Sequence, residues 1–246
     1  MSVVIPVQDE AGSIVGLAGE VAAALARVGP YEIVVVDDGS RDATQARLRE
    51  LQARGELPLR ILHHPRNLGQ SAALRSGIAA ARAEWIATLD GDGQNDPADI
   101  PRLLEAIGST GHPDDLRLVC GWRRNRRDAW SRRVASRIAN AVRCWILADA
   151  TPDTGCGLKL IHRATFLELP FFDHLHRFLP ALVSNAGGRV VSVPVSHRPR
   201  TSGRSKYGLG ARLWTGLADL LGVLWLLRRS RRGAAVEIRA GGGSDS

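Results

Sequence analysis

Cysteine is scarce in this chain, and the few cysteines present are not spaced in pairs. Cys120, Cys144 and Cys156 are the three cysteines among 246 residues, which argues against a disulfide framework and against a zinc site. Residues 2–6 also lack the basic segment and the long apolar run of a signal peptide. We therefore expect a reducing, cytoplasmic setting.

Acidic and aromatic residues are also in short supply. The chain has 25 acidic residues against 33 lysines and arginines, which gives a formal charge of +8, and only 5% of its residues are aromatic. The charge predicts anionic partners without choosing among nucleic acid, nucleotide and acidic lipid. Nucleic acid is the least favoured of these, because the basic segments lack interleaved aromatic residues and a reading motif.

The sequence has no internal repeat, and its short apolar runs alternate with segments of helical period. This alternation predicts an α/β fold with a mostly parallel central sheet and helices on both faces. Strands are predicted at residues 2–6, 32–37, 59–63, 85–90, 117–121 and 189–195. Helices are predicted at residues 11–28, 42–54, 70–83, 97–108, 131–148, 175–186 and 209–229.

Two carboxylates follow the fourth predicted strand. Asp90 and Asp92 are separated by a single glycine, and at a strand end such a pair can share one hard divalent cation. The alternative is an ordinary turn, since Asp-Gly is a frequent turn sequence. A calcium loop is excluded, because the required glycine and glutamate positions hold Asn95 and Pro101.

A second acidic segment follows the second predicted strand. Asp37 can accept hydrogen bonds from a nucleobase or a ribose, although Asp37, Asp38, Gly39 and Ser40 can equally form a turn. In an open parallel sheet, ligands bind outside the carboxyl ends of the strands. Residues 6–10, 37–40 and 90–94 should therefore lie along one edge.

Several ordered motifs resemble the family 2, A-type inverting glycosyltransferases. The segments are residues 5–10, 36–40, 67–69 before a helix of small residues, and 90–94. Residues 94–97, 153–157 and 200–207 are, more narrowly, similar to dolichol-phosphate mannose synthases and bacterial polyprenyl-phosphate glycosyltransferases. The similarity covers about residues 2–227.

The resemblance implies a Rossmann-like nucleotide-diphospho-sugar transferase fold and assigns a role to each matching residue. It implies that Pro6 and Glu10 line the nucleotide pocket, that Asp37 contacts the base, and that Asp90 touches the nucleotide sugar. It further implies Mg²⁺ or Mn²⁺ bound by Asp92 and Gln94 beside Asp90. Phosphate contacts are implied for four cations, namely Arg123, Arg132, Arg200 and Lys206. Val7, Gln8 and Asp9 depart from the family's usual aromatic and asparagine, which bears on base recognition.

The chemistry of these groups favours a phosphorylated acceptor. A divalent cation held by carboxylates stabilises the charge that develops on a departing nucleoside diphosphate. A phosphate monoester has a second pKa of about 6 and is already mostly ionised at neutral pH, so it needs no general base. Cations are needed instead, and arginine suits phosphate oxygens. We therefore expect catalysis to depend on five residues, namely Asp90, Asp92, Arg123, Arg200 and Lys206. For the cations, the alternative is a solvated basic surface.

The predicted activity is metal-dependent transfer of a hexose from a nucleotide donor to a polyprenyl phosphate at the cytoplasmic membrane face. By resemblance, GDP-mannose is the leading donor, with UDP-sugars behind it. One alternative is a related transferase with a soluble or glycan acceptor. Others are an inactive membrane-associated protein of the same fold, and a basic anion- or nucleic-acid-binding protein without catalysis.

The predicted domains are a catalytic domain over residues 1–208, a membrane-associating helix over 209–232 and a disordered tail over 233–246. Within residues 213–227, Asp219 is the only charged residue, and two tryptophans are present. Fifteen residues make roughly 22 Å of helix, short of the ~20 residues that span a bilayer. We expect a helix at the membrane interface, with a core-packed helix or a short transmembrane anchor as alternatives.

Overall fold

The computed structural model describes residues 1–109, 115–123, 147, 151–199 and 209–229. Within these ranges, seven strands form one sheet. The strands are β1 (Ser2–Val7), β2 (Glu32–Asp38), β3 (Leu59–His64), β4 (Trp85–Thr88), β5 (Leu116–Arg123), β6 (Lys159–His162) and β7 (Arg189–Val195). The helices are α1 (Ile14–Leu25), α2 (Thr44–Ala53), α3 (Gln70–Ala80), α4 (Ile100–Ser109), α5 (Arg163–Glu168), α6 (Leu179–Asn185) and α7 (Leu209–Arg229).

The sheet order is β3-β2-β1-β4-β6-β5-β7. Neighbouring strands are parallel except at β6, which runs antiparallel to both β4 and β5. The predicted mostly parallel sheet is therefore confirmed. Strand β6 and helix α5 were not predicted, because β6 is only four residues long and begins with a lysine.

The boundaries of the other elements differ only modestly from the sequence predictions. Strand β4 ends at Thr88, so Asp90 lies in the following loop rather than in the strand. Two predicted helices begin with separate 3₁₀ turns, Pro97–Asp99 before α4 and Leu175–Arg177 before α6. The helix predicted at residues 131–148 lies almost wholly outside the described residues, and so does the tail predicted at 233–246.

Two apolar layers enclose the sheet. Alternate residues of β1 point to opposite faces, so Val3 and Ile5 pack with α1, α2 and α4, while Val4 packs with α3, α5, α6 and α7. Gly77 lets α3 approach the sheet closely, because a Cβ there would lie 2.9 Å from Val36 Cγ2. Helices therefore cover both faces, as predicted.

Helix α7 packs against the second of these layers with one side only. Leu220 and Val223 are buried, whereas Leu217, Leu221 and Trp225 are 48%, 58% and 62% exposed. In the described part of the chain, no helix combines the length and the apolar character needed to cross a membrane. The helix therefore has one core-packed side and one exposed apolar side, and its position at the membrane interface remains a prediction.

Candidate active site

The carboxyl ends of β1, β2 and β4 meet at one edge of the sheet, as the sequence predicted. Val7 of β1 is in register with Asp37 of β2, and β4 pairs with the other side of β1. The loop after β4 is fixed to its neighbours through Gly91. The Gly91 carbonyl accepts a hydrogen bond of 2.7 Å from Ser13 Oγ, and a Cβ at this glycine would lie 2.7 Å from Val7 Cγ1.

Asp90 is held on three sides. Gln70 Nε2, at the start of α3, donates to Asp90 Oδ1 at 2.7 Å. The Asp90 amide donates to Asn95 Oδ1 at 3.3 Å, and the carboxyl group lies directly against the α-carbon of Gly157. Burial raises the pKa of Asp90, and the nearby charge of Asp92 adds to that rise, while Lys159 and Arg123 oppose it.

Asp92 and Gln94 belong to the same tight loop as Asp90. The Gln94 amide donates to Asp92 Oδ1 at 3.1 Å, and Gly93 between them has a φ of +74°. Over the described residues, no group of three or more histidine, cysteine, aspartate or glutamate side chains forms a metal site. Two carboxylates one residue apart in one loop nevertheless suit Mg²⁺ or Mn²⁺, because these ions often keep waters and substrate phosphates as their other ligands. The metal-ligand roles of Asp90, Asp92 and Gln94 remain predictions.

Arg123, at the end of β5, forms a buried ion pair that the sequence did not predict. Its Nε and Nη2 atoms donate to the two oxygens of Asp153 at 2.7 and 2.9 Å. Burial disfavours the charged guanidinium, but the hydrogen bonds and the charge of Asp153 outweigh burial and raise the pKa of Arg123. The predicted phosphate contact of Arg123 must therefore use the donors that Asp153 leaves available.

Lys159 is a site residue that the sequence reasoning missed. Its side chain is buried at 3% exposure, and its ammonium group donates to the carbonyl groups of Thr154 and Cys156. These bonds close the turn that carries Gly157 against Asp90. The available signal was a single lysine within the apolar stretch 158–161, since a charged residue inside such a stretch needs buried partners.

Asp37 is fully buried, with 0% exposure. Its Oδ1 accepts from the Ser40 amide at 3.0 Å, and its Oδ2 lies 3.0 Å from His63 Nδ1. The contact between Asp37 and a base remains a prediction. Asp38 has a structural role on the opposite face, where it accepts from the amides of Leu68 and Gly69 at 2.9 Å each.

The loop after β1 is fastened to the loop after β2. The Glu10 amide donates to Thr44 Oγ1 at 2.8 Å, and Ser13 Oγ lies 3.2 Å from Glu10 Oε2. Asp9, in the left-handed region at φ +58°, accepts from the Arg41 amide at 2.7 Å. Pro6 and Glu10 are both partly exposed at the predicted nucleotide pocket, where their contacts remain predictions.

Hydrogen bonds and ion pairs of Arg198 join the loop of residues 90–96 to the segment that leads to Arg200. The Arg198 amide donates to the Gln94 carbonyl at 3.0 Å, and the guanidinium contacts Glu20 at 2.6 Å and Asp96 at 2.7 Å. The chain therefore leaves the described residues directly beside residues 90–94. Arg200, Lys206 and Arg132, all predicted to contact phosphate, lie outside the described residues.

Two titratable side chains beside the site, His176 and Cys156, are uncharged because of their surroundings. His176 Nδ1 lies 2.9 Å from Ser71 Oγ, and burial lowers the pKa of His176 to about 3. Burial also raises the pKa of the Cys156 thiol, so that this cysteine is not a thiolate nucleophile. His174 binds α7 instead, with its Nδ1 2.8 Å from Asp219 Oδ2.

Comparisons with known proteins agree with this architecture. The family model described as glycosyl transferase family 2 matches residues 2–166. Dodecaprenyl-phosphate galacturonate synthase of Rhizobium johnstonii is 37% identical over 236 residues, 94% of this chain and 68% of that protein. Undecaprenyl-phosphate 4-deoxy-4-formamido-L-arabinose transferase of Edwardsiella ictaluri is 36% identical over 85% of this chain and 63% of that protein. The chain thus spans about two thirds of the length of these relatives.

Solved structures show the same fold. Glucosyl-3-phosphoglycerate synthase from Mycobacterium tuberculosis, in complex with Mn²⁺, UDP and phosphoglyceric acid, superposes with a TM-score of 0.69 and 20% identity. The superposition covers 91% of this chain and 78% of that one. The complex of the same synthase with UDP alone gives a TM-score of 0.66. The sheet and its helices therefore have the A-type glycosyltransferase architecture.

Proposed function

Because the chain belongs to glycosyl transferase family 2, we propose that it transfers a sugar from a nucleotide-sugar donor to a polyprenyl phosphate. The observation that carries this proposal is the pairing of Asp90 with Asp92 at the carboxyl edge of the sheet, where Gln70 and Gly157 fix the Asp90 carboxyl group. The acceptor class is supported by two relatives whose names specify dodecaprenyl and undecaprenyl phosphate.

In the proposed mechanism, carboxylates bind the metal and basic side chains bind the phosphates. Asp90, Asp92 and Gln94 would hold Mg²⁺ or Mn²⁺, which supplies Lewis-acid stabilisation to the departing diphosphate when bound. The acceptor phosphate is already ionised at neutral pH and attacks without a general base, with inversion at the anomeric carbon. Arg200, Lys206 and Arg132 would neutralise phosphate charge, and Arg123 would contribute the donors that Asp153 does not use.

We propose a uronic acid or an aminoarabinose derivative as the transferred sugar, and we rank both ahead of mannose. Mannose and GDP-mannose were the leading expectation from sequence, but the relatives are named for galacturonate and for 4-deoxy-4-formamido-L-arabinose. A UDP-sugar donor, the second expectation, therefore becomes the first to test, with GDP-mannose beside it. A soluble or glycan acceptor is the competing proposal.

The exposed side of α7 is proposed to bind the membrane that carries the acceptor. Leu217, Leu221 and Trp225 repeat every four residues and form an apolar stripe, and the exposed cations Arg228 and Arg229 end the helix. Apolar side chains can enter the headgroup region while arginines attract anionic lipid. This arrangement supports a peripheral position, which we propose is on the cytoplasmic face.

A transfer assay tests the activity. The protein is incubated with Mn²⁺, labelled UDP- and GDP-sugars, and polyprenyl phosphate in vesicles, and acid-labile lipid is analysed for label. We expect label with at least one donor, loss of label after chelation of the metal, and loss in Asp92→Ala. Label appearing only in a soluble acceptor, or full activity of Asp92→Ala, would contradict the proposal.

Vesicle flotation tests the membrane surface separately. Leu221→Glu should weaken binding to vesicles of anionic phospholipid because it places a charge in the apolar stripe. Val28→Glu is the matched control, since Val28 is also exposed, at 42%, but lies away from α7. Equal flotation of the two variants would show that α7 does not bind the membrane. In a separate binding measurement, strong salt-sensitive binding of DNA without binding of nucleotide would favour the basic-protein alternative.

A further inference from the structure

His63 covers the carboxylate that resemblance assigns to the base. The imidazole Nδ1 lies 3.0 Å from Asp37 Oδ2, and the side chain of His63 is 44% exposed while that of Asp37 is 0% exposed. The imidazole of His63 is therefore accessible to a ligand that arrives from solvent, whereas the carboxylate of Asp37 offers it no exposed surface. The second oxygen of Asp37 is already bound to the Ser40 amide.

The position of this pair along the sheet edge is suited to the base of a nucleotide whose diphosphate lies at Asp90 and Asp92. On the β6 side of Asp90, the edge is filled by the turn that carries Gly157 and by the ion pair of Arg123 with Asp153. The opposite direction along the edge runs from β4 across β1 and β2 to β3. With strands about 4.8 Å apart, β3 lies roughly 14 Å from β4.

The hydrogen bond to Asp37 also decides what His63 offers to a ligand. A carboxylate only accepts hydrogen bonds, so Nδ1 of the ring carries the proton and donates it to Asp37. In the neutral ring, Nε2 is then an acceptor with a free lone pair. Among the described residues, Nε2 of His63 has no hydrogen-bond partner. Nucleobases present N–H groups that suit such an acceptor.

We propose that His63 contacts the base of the nucleotide donor, with Nε2 accepting a base N–H, and that Asp37 positions the ring rather than touching the base. This inference rests on the proposed function, since it requires a nucleotide in the crevice. His63 lies outside the sequence motifs, residues 36–40 and 67–69, that resemble the family. His63 thereby becomes a specificity-determining residue for the donor.

His64, the next residue of β3, pairs with Asp38 of β2 and provides a comparison in which the histidine has only a structural role. His64 Nδ1 lies 2.7 Å from Asp38 Oδ1, but its Nε2 is bound to Ser76 Oγ at 2.9 Å, and its side chain is only 12% exposed. Both nitrogens of His64 are thus satisfied inside the protein. His63 differs because only its Nδ1 is hydrogen-bonded among the described residues and its side chain is 44% exposed.

Two substitutions separate the base contact from other roles. In His63→Gln, the amide nitrogen can donate to Asp37 while the amide oxygen accepts from the base, so binding should be retained. His63→Leu keeps an apolar cover over Asp37 but has no acceptor. Affinities are measured by calorimetry for UDP, GDP and inorganic pyrophosphate, each with Mn²⁺, and the ¹⁵N shifts of His63 report its tautomer in the free protein.

We expect His63→Leu to weaken the better-bound nucleoside diphosphate roughly tenfold, the effect of one lost hydrogen bond, while pyrophosphate affinity stays unchanged. Unchanged or tighter nucleotide binding by His63→Leu would overturn the proposal, since the base would then bind elsewhere or directly to Asp37. An equal loss for pyrophosphate, or a proton on Nε2 in the free protein, would overturn it as well. Failure of the unmodified protein to bind any nucleoside diphosphate would instead refute the proposed function.

Discussion

Replacing Gly157 with alanine would move the carboxyl group of Asp90 without removing any functional atom. The added Cβ would lie 2.6 Å from Asp90 Oδ1 and closer still to Cγ and Oδ2. Gly157 is not among the glycines with positive φ, so alanine can adopt its backbone conformation. The perturbation is therefore steric and is directed at a single side chain.

The size of the effect follows from the overlap. Ordinary contact begins at 3.4 Å, so the carboxyl group has to retreat by roughly 1 Å, and a misplacement of that size costs about 100-fold in rate at a reacting centre. The overpacking should also lower the free energy of unfolding by about 1–3 kcal/mol. We expect a folded protein with a greatly reduced kcat for sugar transfer and weaker Mn²⁺-dependent binding of nucleoside diphosphate.

Gly155→Ala is the matched control for this experiment. Its Cβ would lie 3.4 Å from Arg123 Nη2 and 3.7 Å from Asp153 Oδ1, which are ordinary contacts. Both variants are compared by urea unfolding, by calorimetry with UDP and Mn²⁺, and by the transfer assay. If Gly157→Ala lost stability but kept the kcat of the unmodified protein, the position of Asp90 would not matter, and the reasoning that places the chemistry there would be wrong.

Two further predictions concern titratable side chains near the site. Asp153→Ala should lower the free energy of unfolding by about 3–5 kcal/mol, because it leaves the guanidinium of Arg123 buried without its partner; a loss below 1 kcal/mol in urea unfolding would contradict this. The low pKa of His176, about 3 against 6.5, means that below pH 6.5 the unfolded chain takes up a proton that the folded chain refuses. Stability should therefore fall with pH from 6.5 towards 3, with about 2 kcal/mol lost between pH 7 and pH 5. In urea unfolding, His176→Asn should lose about 2 kcal/mol less unfolding free energy between pH 7 and pH 5 than the unmodified protein. Equal losses in the two proteins would contradict the low pKa of His176.

The edge of the sheet that carries the site was predictable, because parallel strands place all their carboxyl ends together. Asp90 and Asp92 could be assigned to that edge from the alternation of strands and helices alone. The same logic located Pro6, Glu10 and Asp37. Resemblance added roles to these positions, and those roles remain predictions.

Contacts between distant segments were not predictable from local pattern. Strand β6 reverses direction within the sheet and brings Gly157 against Asp90, 67 residues earlier in sequence. The pairing of Arg123 with Asp153 and the burial of Lys159 depend on the same reversal. The cover of Asp37 by His63 depends on the register between β2 and β3, which neither residue reveals alone.

The hydrogen bonds and ion pairs of Arg198 have a consequence for engineering. Arg198 fastens one end of segment 200–208 to Gln94, Asp96 and Glu20, and the buried residues Leu220 and Val223 dock the helix that follows its other end. The nine intervening residues can thus be exchanged for the corresponding stretch of a relative while both flanking attachments stay in place. Such an exchange tests whether Arg200 and Lys206, the cations predicted to contact phosphate in this segment, contribute to sugar transfer, and it leaves the sheet unchanged.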